Sequence, residues 1–213
     1  MDNSIILRAY QPADAAAVRR ICFDTALFGR PMQPVFNDDQ LIAEALAGYY
    51  LRCEPDLTFV ADAAGTIAGY ISGCADTPRF RRLYARRIAP RLLGLFLVRG
   101  HWRRPAVWAL LLASARAARA SRAVHGGLAR DYPAHLHLNL AIAWQRRGLG
   151  MPLLDRLLAE LRARGIRGVH ISASSPGGQA FFARAGFQLL AEYPAPEIFN
   201  QPPHRAQLMG LKL

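Results

Sequence analysis

The stretch from His135 to Arg164 constrains the chain more than any other. His135-Leu136-His137-Leu138-Asn139-Leu140 alternates strictly between polar and apolar residues, the period of a strand with two unlike faces. From Met151 to Arg164, Leu153, Leu154, Leu157, Leu158 and Leu161 make an apolar helical stripe; Pro152 is tolerated in the first turn and Gly165 ends the helix. Between strand and helix stands Gln145-Arg146-Arg147-Gly148-Leu149-Gly150. A turn that enters a helix in this way aims unpaired backbone N–H groups at one point, with the positive end of the helix dipole behind them. Gly148 and Gly150 carry no Cβ, so a phosphate can approach the main chain closely, and Arg146 and Arg147 add charge at the rim. The chemistry is that of a pyrophosphate cradle. It is neither the GxxxxGKS/T loop, whose lysine is missing, nor the GxGxxG of dinucleotide folds. Taken alone, the motif also fits a plain strand–helix turn with a glycine cap.

The remaining chain reads as a mixed α/β protein. Ile5–Tyr10 is a short strand, and Gln11-Pro12-Ala13-Asp14 a turn and helix start with Asp14 as N-cap. Val18, Ile21 and Cys22 continue that helix. A polar loop with Pro and Gly runs from Phe28 to Asp39, and Leu41, Ala45 and Leu46 open a second helix toward Tyr50. Leu57–Asp62 and Ile67–Gly73 flank Ala63-Ala64-Gly65-Thr66, a hairpin signature. Val169–Ser172 is a strand, Gln179–Ala185 a short helix before Gly186, and Gln188–Leu190 and Ala206–Leu211 the last two strands. A loop containing Pro194, Pro196, Pro202 and Pro203 joins those two. The order is βα(α)ββ, an insertion, then βαβαββ, in a length of 213 residues that suits one domain.

The insertion carries the charge. Of a net +12, only Lys212 is a lysine, and between Arg79 and Arg130 there are 13 arginines and no Asp or Glu. The remaining residues hold 14 Lys plus Arg against 15 Asp plus Glu. Arg116, Arg119 and Arg122 recur every three residues, along one face of a helix. Three readings stay open: a solvated helical face with buried arginine stems, a patch that attracts the phosphates of a nucleotide cofactor or an acidic partner, and contact with nucleic acid or a membrane surface. Signatures of RNA and DNA modules are absent, so nucleic acid is not the expected partner. With 52% hydrophobic and 20% charged residues the chain is not of the disordered class. Cys22, Cys53 and Cys74 are scattered and odd in number, which speaks against a disulfide framework and against every CxxC metal pattern. No basic n-region precedes Ile5–Leu7, and the longest apolar runs, Leu92–Val98 and Ala106–Ala115, are about half of a ~20-residue span. No metal, no membrane span and a cytoplasmic location are expected.

Gln-x-x-Gly-x-Gly at 145–150, after an alternating strand and before an amphipathic helix, resembles the acyl-CoA-binding motif of the GNAT N-acetyltransferase superfamily. Ala180-Phe181-Phe182-Ala183-Arg184-Ala185-Gly186-Phe187 resembles that superfamily's FYxxxGF helix end, and Leu7–Asp14 its first strand–helix unit. More particularly, Tyr132–Leu140 running into the glycine motif is similar to the acetyltransferase-like domain attached to eukaryotic O-GlcNAc hydrolase and to its free-standing bacterial relatives. Ala75-Asp76-Thr77 followed by a basic helical insertion also fits that subgroup. The resemblance spans essentially the whole chain, and is most specific in the half that holds the glycine motif.

It implies an α/β fold with a mixed, mostly antiparallel central sheet flanked by helices, in one acyltransferase domain over residues 1–213. The basic helical insertion, 79–130, falls before the fourth strand. It also implies acetyl-CoA as cofactor, and direct transfer of acetyl to an amine of a small molecule or protein in a ternary complex. Carried over residue by residue, the main chain of Leu140, Ala141 and Ile142 would pair with the pantetheine arm. The pyrophosphate would sit on the amides of Arg147, Gly148, Leu149 and Gly150, with Gln145 and Arg146 in the same loop. A base must then deprotonate the ammonium. His135 and His137 lie on the polar face of the strand with Asn139, and imidazole titrates near 6.5, whereas an amide takes up no proton. His137 is the first candidate and Asp76 the second; the competing role for either histidine is that of a hydrogen-bonded strand residue. Two departures stand out. The tyrosine of the FY pair, which protonates the leaving thiolate in many members, is matched by Phe182. The family's asparagine before that helix is matched by Ser175, which can hydrogen-bond the cofactor but is no strong acid. Water can protonate the thiolate, so transfer is slowed rather than forbidden. The alternatives are a catalytically weak CoA-binding or scaffold module and an anion-binding protein that uses the arginine segment. The acceptor pocket is expected in Phe28–Tyr50, the insertion and the Pro194–Pro203 loop. Tyr49 and Tyr50 are candidates for its lining or for packing, and a homodimer is open.

Overall fold

A computed structural model describes residues 5–27, 29, 31, 36–124, 127–195 and 205–213. The chain opens with β1 (Ile5–Ala9), a 3-10 turn (Pro12–Asp14), α1 (Ala15–Thr25), α2 (Asp39–Leu46) and α3 (Gly48–Cys53). The hairpin β2 (Thr58–Ala63) and β3 (Thr66–Cys74) follows. The insertion comprises α4 (Thr77–Leu83), a π-turn (Tyr84–Ile88), α5 (Ala89–Val98), a 3-10 turn (His101–Arg103), α6 (Pro105–Val124) and α7 (Leu128–Asp131). Then come β4 (Ala134–Leu140), α8 (Gly150–Ala163), β5 (Gly168–Ala173), α9 (Pro176–Arg184), β6 (Gln188–Pro194) and β7 (Arg205–Lys212). The strands form one seven-stranded sheet in the order β1-β2-β3-β4-β5-β7-β6. Every pairing is antiparallel except β4 with β5. This is the α/β fold expected, mostly antiparallel, with the basic insertion before the fourth strand.

The β2–β3 turn shows why its residues matter. Ala64 (φ 49°) and Gly65 (φ 87°) are both left-handed, the type I′ geometry whose twist matches that of the strands. Asp62 Oδ1 accepts the Gly65 N–H at 2.7 Å. On the sheet face that receives α8, Leu153, Leu154, Leu157, Leu158 and Leu161 pack with Leu57, Phe59, Ala61, Leu136 and Val169. Each of these leucines contributes about 2 kcal/mol by leaving water. A Cβ at Gly73 would lie 2.7 Å from Leu157, so glycine on β3 sets how closely α8 approaches. The other face is covered by Val18, Ile21, Cys22 and Leu51 from α1 and α3, packed on Val60 and Tyr70.

Two local expectations are corrected. Asp14 does precede α1 in the N-cap position, but its side chain makes no capping bond to that helix. The helical path starts one turn earlier at Pro12, so Asp14 sits third in the 3-10 turn and its carboxylate reaches back to the Gln11 N–H (2.8 Å) and accepts both Arg8 NH groups (2.7 and 2.8 Å). The second helix does not run unbroken toward Tyr50. It breaks at Ala47 (φ −109°), and Gly48 opens α3 with the Glu44 carboxyl folded over it, 2.9 Å from where a Cβ would be.

The insertion lies over the α1–α3 side. Tyr49, Tyr50, Cys74 and Ile88 form one shared cluster, and Phe23, Leu27, Phe36, Ile42 and Val107 another. Its arginines reach across as ion pairs: Arg79 to Glu54 (3.4 Å), Arg91 to Glu44 (3.3 Å) and Arg99 to Asp38 (2.5 Å). Arg116 and Arg119 are exposed on α6. Most of the Pro194–Pro203 loop and part of the Phe28–Asp39 loop lie outside the described residues.

Candidate active site

β4 and β5 pair only at Ala134–Val169 and His135–His170, and then diverge. Beyond that point β4 has a partner only in β3. The Ala141 N–H donates to Ala68 C=O (2.9 Å), so by antiparallel alternation the main-chain groups of Leu138 and Leu140 point away from β3, into the opening. Gln145 Nε2 donates to Leu140 C=O (3.2 Å) and steadies the strand end. Ala141 C=O accepts the Trp144 N–H (2.7 Å) and Ile142 C=O the Gln145 N–H (3.3 Å). Of the three main-chain positions singled out in the sequence, Leu140 faces the opening, while Ala141 and Ile142 are engaged in the turn.

The two glycines of the loop serve different ends. Gly148 has φ 82°, a conformation that side chains resist, and open space where a Cβ would stand. At Gly150 a Cβ would lie 3.0 Å from the Phe181 ring, so this glycine lets α8 close on α9. Arg146 is itself left-handed (φ 61°), and Arg147 lies 4.9 Å above the Trp144 ring. The N–H groups of Arg147, Gly148, Leu149 and Gly150 make no hydrogen bond to another described residue. They sit at the positive end of α8, whose N-cap, Leu149, has no side chain able to satisfy them.

Across the opening, Ser175 is the N-cap of α9, its Oγ accepting the Gly178 N–H (3.1 Å). That helix therefore starts at Pro176, three residues ahead of the sequence-based start. Phe182 is buried between Phe181 (5.0 Å) and Phe187 (5.2 Å) and presents an edge to the cavity.

A cavity of about 880 Å³ begins in the opening, between Leu138 and Asn139 on one side and Ile171–Ser175 with Phe182 on the other. It continues into a chamber walled by α2, α5 and α6, and His137 on β4 is among the residues that line it. The glycine loop lies outside this lining. Only two titratable side chains line it among the described residues, His137 and Tyr84. The Tyr84 hydroxyl donates to Ala45 C=O (2.9 Å), and burial raises its pKa to about 12. His137 is packed between Tyr50 (centroids 6.1 Å) and Tyr70 (5.8 Å). Asn139 Nδ2 lies 3.3 Å from His137 Nε2 and 3.1 Å from the Tyr70 hydroxyl, and that hydroxyl lies 3.5 Å from His137 Nδ1. Burial pushes His137 down to about 4, so the ring is neutral at pH 7.

The other candidate bases are not brought to the cavity. Asp76 is exposed and caps α4, accepting the Arg79 N–H at 2.8 Å. The Thr77 hydroxyl donates to Pro133 C=O, so the 2.8 Å contact with His135 has Nδ1–H as donor; that ring packs against Phe80 (4.7 Å). Tyr49 and Tyr50 are buried behind His137 rather than in the cavity wall. Parts of the regions expected to hold an acceptor pocket, in α2, α5 and α6, line this cavity, but their individual residues were not picked out from the sequence. The four-residue spacings Leu92–Phe96 and Val107–Leu111 were the available signal. No helix among the described residues is long and apolar enough to cross a membrane.

A splayed strand pair, a glycine loop with unengaged N–H groups at a helix start, and a cavity joining the two strands to the helical side define the acyl-CoA-dependent acetyltransferase architecture. No protein-family model matches the chain. Among solved structures it is similar to SsHAT, with 33% identity over 98% of both chains and a TM-score of 0.74. It is also similar to the polyamine N-acetyltransferase of Drosophila melanogaster (17% identity over 99% of this chain and 100% of that one, TM-score 0.66). YncA of Salmonella typhimurium, solved with acetyl-CoA, matches at 19% identity over 99% of this chain and 94% of that one, TM-score 0.58. The chain belongs to the GNAT superfamily of acyl-CoA-dependent N-acetyltransferases.

Proposed function

We propose that this protein transfers acetyl from acetyl-CoA to a primary amine by direct attack, with His137 as the base. The observation that carries the reading is the position of His137, the one imidazole or carboxylate among the described residues that line a cavity running from the β4–β5 opening to the helical chamber. The N–H groups of Arg147–Gly150, with Gln145 and Arg146 beside them, hold the diphosphate. Leu138 and Leu140 offer main-chain partners to the pantetheine arm, which runs on toward Ser175 and Phe182. The amine nitrogen attacks the thioester carbon, the C–N bond forms, and the C–S bond breaks as the tetrahedral adduct collapses. The nitrogen becomes far more acidic once it has added to the carbonyl, so a neutral imidazole of low pKa is base enough to take its proton. The thiolate leaves beside Phe182, which has no proton to give, and is protonated by water.

Within the superfamily we place the chain with the acetyltransferase-like domain of O-GlcNAc hydrolase and its bacterial relatives, on Tyr132–Leu140 and the insertion ahead of β4. Three unpaired thiols accord with a reducing, cytoplasmic setting. Phe182 favours a second reading, a CoA-binding module that transfers slowly. Calorimetry and melting with acetyl-CoA, followed by thiol release over an amine panel, separate the two. Ligand binding to the folded state alone raises its stability by RT ln(1 + [L]/Kd). Absence of both heat and melting shift defeats either reading; binding without amine-dependent thiol release leaves the second.

A further inference from the structure

Beyond His137 the cavity is almost wholly apolar. Leu41 and Ile42 of α2, Leu92 and Phe96 of α5, and Val107 and Leu110 of α6 line it. At its mouth, Phe96 meets Trp108 edge-on (5.7 Å), and Leu93, Trp108 and Leu111 remain 58%, 50% and 44% exposed while facing the cavity. Large apolar side chains left in water around a cleft mark a surface that something apolar covers. No carboxylate lines the chamber among the described residues. The buried carboxylates of α2, α3 and the flanking loops are already matched by arginines: Asp38 by Arg99, with a further hydrogen-bond contact to His101 Nε2, Glu44 by Arg52 and Arg91, and Glu54 by Arg79. Residues 79–130 of the insertion add 13 arginines and no acid.

From this we infer that the acceptor is a primary monoamine with an uncharged alkyl or aryl body seated in the α2–α5–α6 chamber, and that polyamines and Lys- or Arg-rich peptides are excluded. The inference rests on the acyl-transfer reading and names its substrate class. A second ammonium in the chamber would lose its hydration, gain no counter-ion and face a field of arginines. A lone amine nitrogen stops at His137. The same dry, positive surroundings lower its pKa and favour the free base that attacks. The lining runs from β4 and β5, with His137 among it, to α2, α5 and α6, so a nitrogen that reaches a thioester in the β4–β5 opening can leave its body in the chamber. That order favours the amine over an extended acyl chain as the occupant.

The test holds acetyl-CoA constant and compares butylamine, hexylamine, octylamine and 2-phenylethylamine with spermidine, agmatine and a lysine-rich peptide. KM is expected to fall about fourfold per added methylene until the chamber is full. By kcat/KM, octylamine should exceed spermidine by about 100-fold or more. Leu111→Asp, at an exposed position that tolerates it, should lower octylamine turnover about tenfold and raise that of agmatine, with acetyl-CoA affinity by calorimetry unchanged. A flat alkylamine series, or preference for spermidine or the peptide, overturns the inference. So does octanoyl-CoA used in preference to acetyl-CoA and competing with octylamine, which would give the chamber to the acyl chain. Quenching of indole fluorescence by 2-phenylethylamine without coenzyme, lost in Trp108→Phe, reads the chamber alone. Quenching without acetyl-CoA binding keeps the chamber and defeats the acyl-transfer reading; acetyl-CoA binding without quenching by any apolar amine defeats the chamber.

Discussion

The two parts of the proposed site, for coenzyme and for acceptor, are built from different materials. The coenzyme half is main chain: unengaged N–H groups before α8, alternate peptide groups of β4, and a left-handed Gly148. The acceptor half is side-chain volume, supplied by α2, α5 and α6, the first two tied to each other by ion pairs. A site made of backbone restricts few positions, but restricts them absolutely, because only glycine is at ease with φ 82° and an open approach. A site made of side chains restricts many positions weakly, since any apolar residue of about the right size fills it. The first kind leaves a motif and the second leaves only composition.

His137→Gln attacks the junction of the two halves and carries the largest expected effect. It should lower kcat by about 10²–10³-fold with acetyl-CoA affinity unchanged. A fall below tenfold would remove His137 from the chemistry. The variant has a second readout. His137 titrates near 4 in the fold and near 6.5 in the unfolded chain, so the unfolded chain takes up its proton first as pH falls. Its contribution to stability is therefore whole above pH 6.5 and is lost between 6.5 and 4, by on the order of 3 kcal/mol. Melting followed across that window should slope in the native protein and flatten in His137→Gln.

Asp38→Ala tests whether the acceptor half stands on its ion pairs. Asp38 caps α2 through the Leu41 N–H (2.9 Å) and accepts from Arg99 (2.5 Å) and His101 Nε2 (2.6 Å) while buried. Its loss removes a cap and strands the buried His101, a cost of about 2–3 kcal/mol in urea unfolding. Amine KM should rise and acetyl-CoA affinity should stay. A parallel loss of acetyl-CoA affinity would mean that the halves do not separate. On the other side, Gly148→Val forces a β-branched residue to φ 82°, and acetyl-CoA Kd should rise about 10–30-fold by calorimetry while amine quenching of Trp108 is spared.

The same contrast explains what the sequence disclosed. The β2–β3 turn, the leucine stripe of α8 and the Gly148 turn depend on neighbours in the chain, and each was legible. The role of the Asp14 carboxylate and the break at Ala47 were misread because side-chain partners outside their own turn decide them, and the start of α9 because the local cap Ser175 was passed over. Arg8 holds the Asp14 carboxylate, Glu44 folds over Gly48 to reach Arg52 and Arg91, and Ser175 rather than a later residue takes the capping bond. His135 and His137 are indistinguishable by period. What separates them is Thr77, fifty-eight positions before His135, and the cavity that only His137 reaches. Long-range packing of this kind leaves no local pattern.

Phe182→Tyr is the smallest of these perturbations and bears on why the coenzyme half lacks a proton donor. The ring lies between Phe181 and Phe187 with part of its edge on the cavity, so a hydroxyl has room to enter it. If departure of the thiolate limits the rate, the new phenol should raise kcat about fivefold to tenfold, well below the 10²–10⁴ of a fully positioned acid. The gain should be largest with the best apolar amine, because a faster attack leaves departure as the slower step. An equal gain for every amine would instead place the effect in coenzyme binding, and acetyl-CoA affinity would rise with it. No change at all would mean that water already reaches the leaving sulfur, and that the dryness of the chamber ends at His137 rather than extending into the opening.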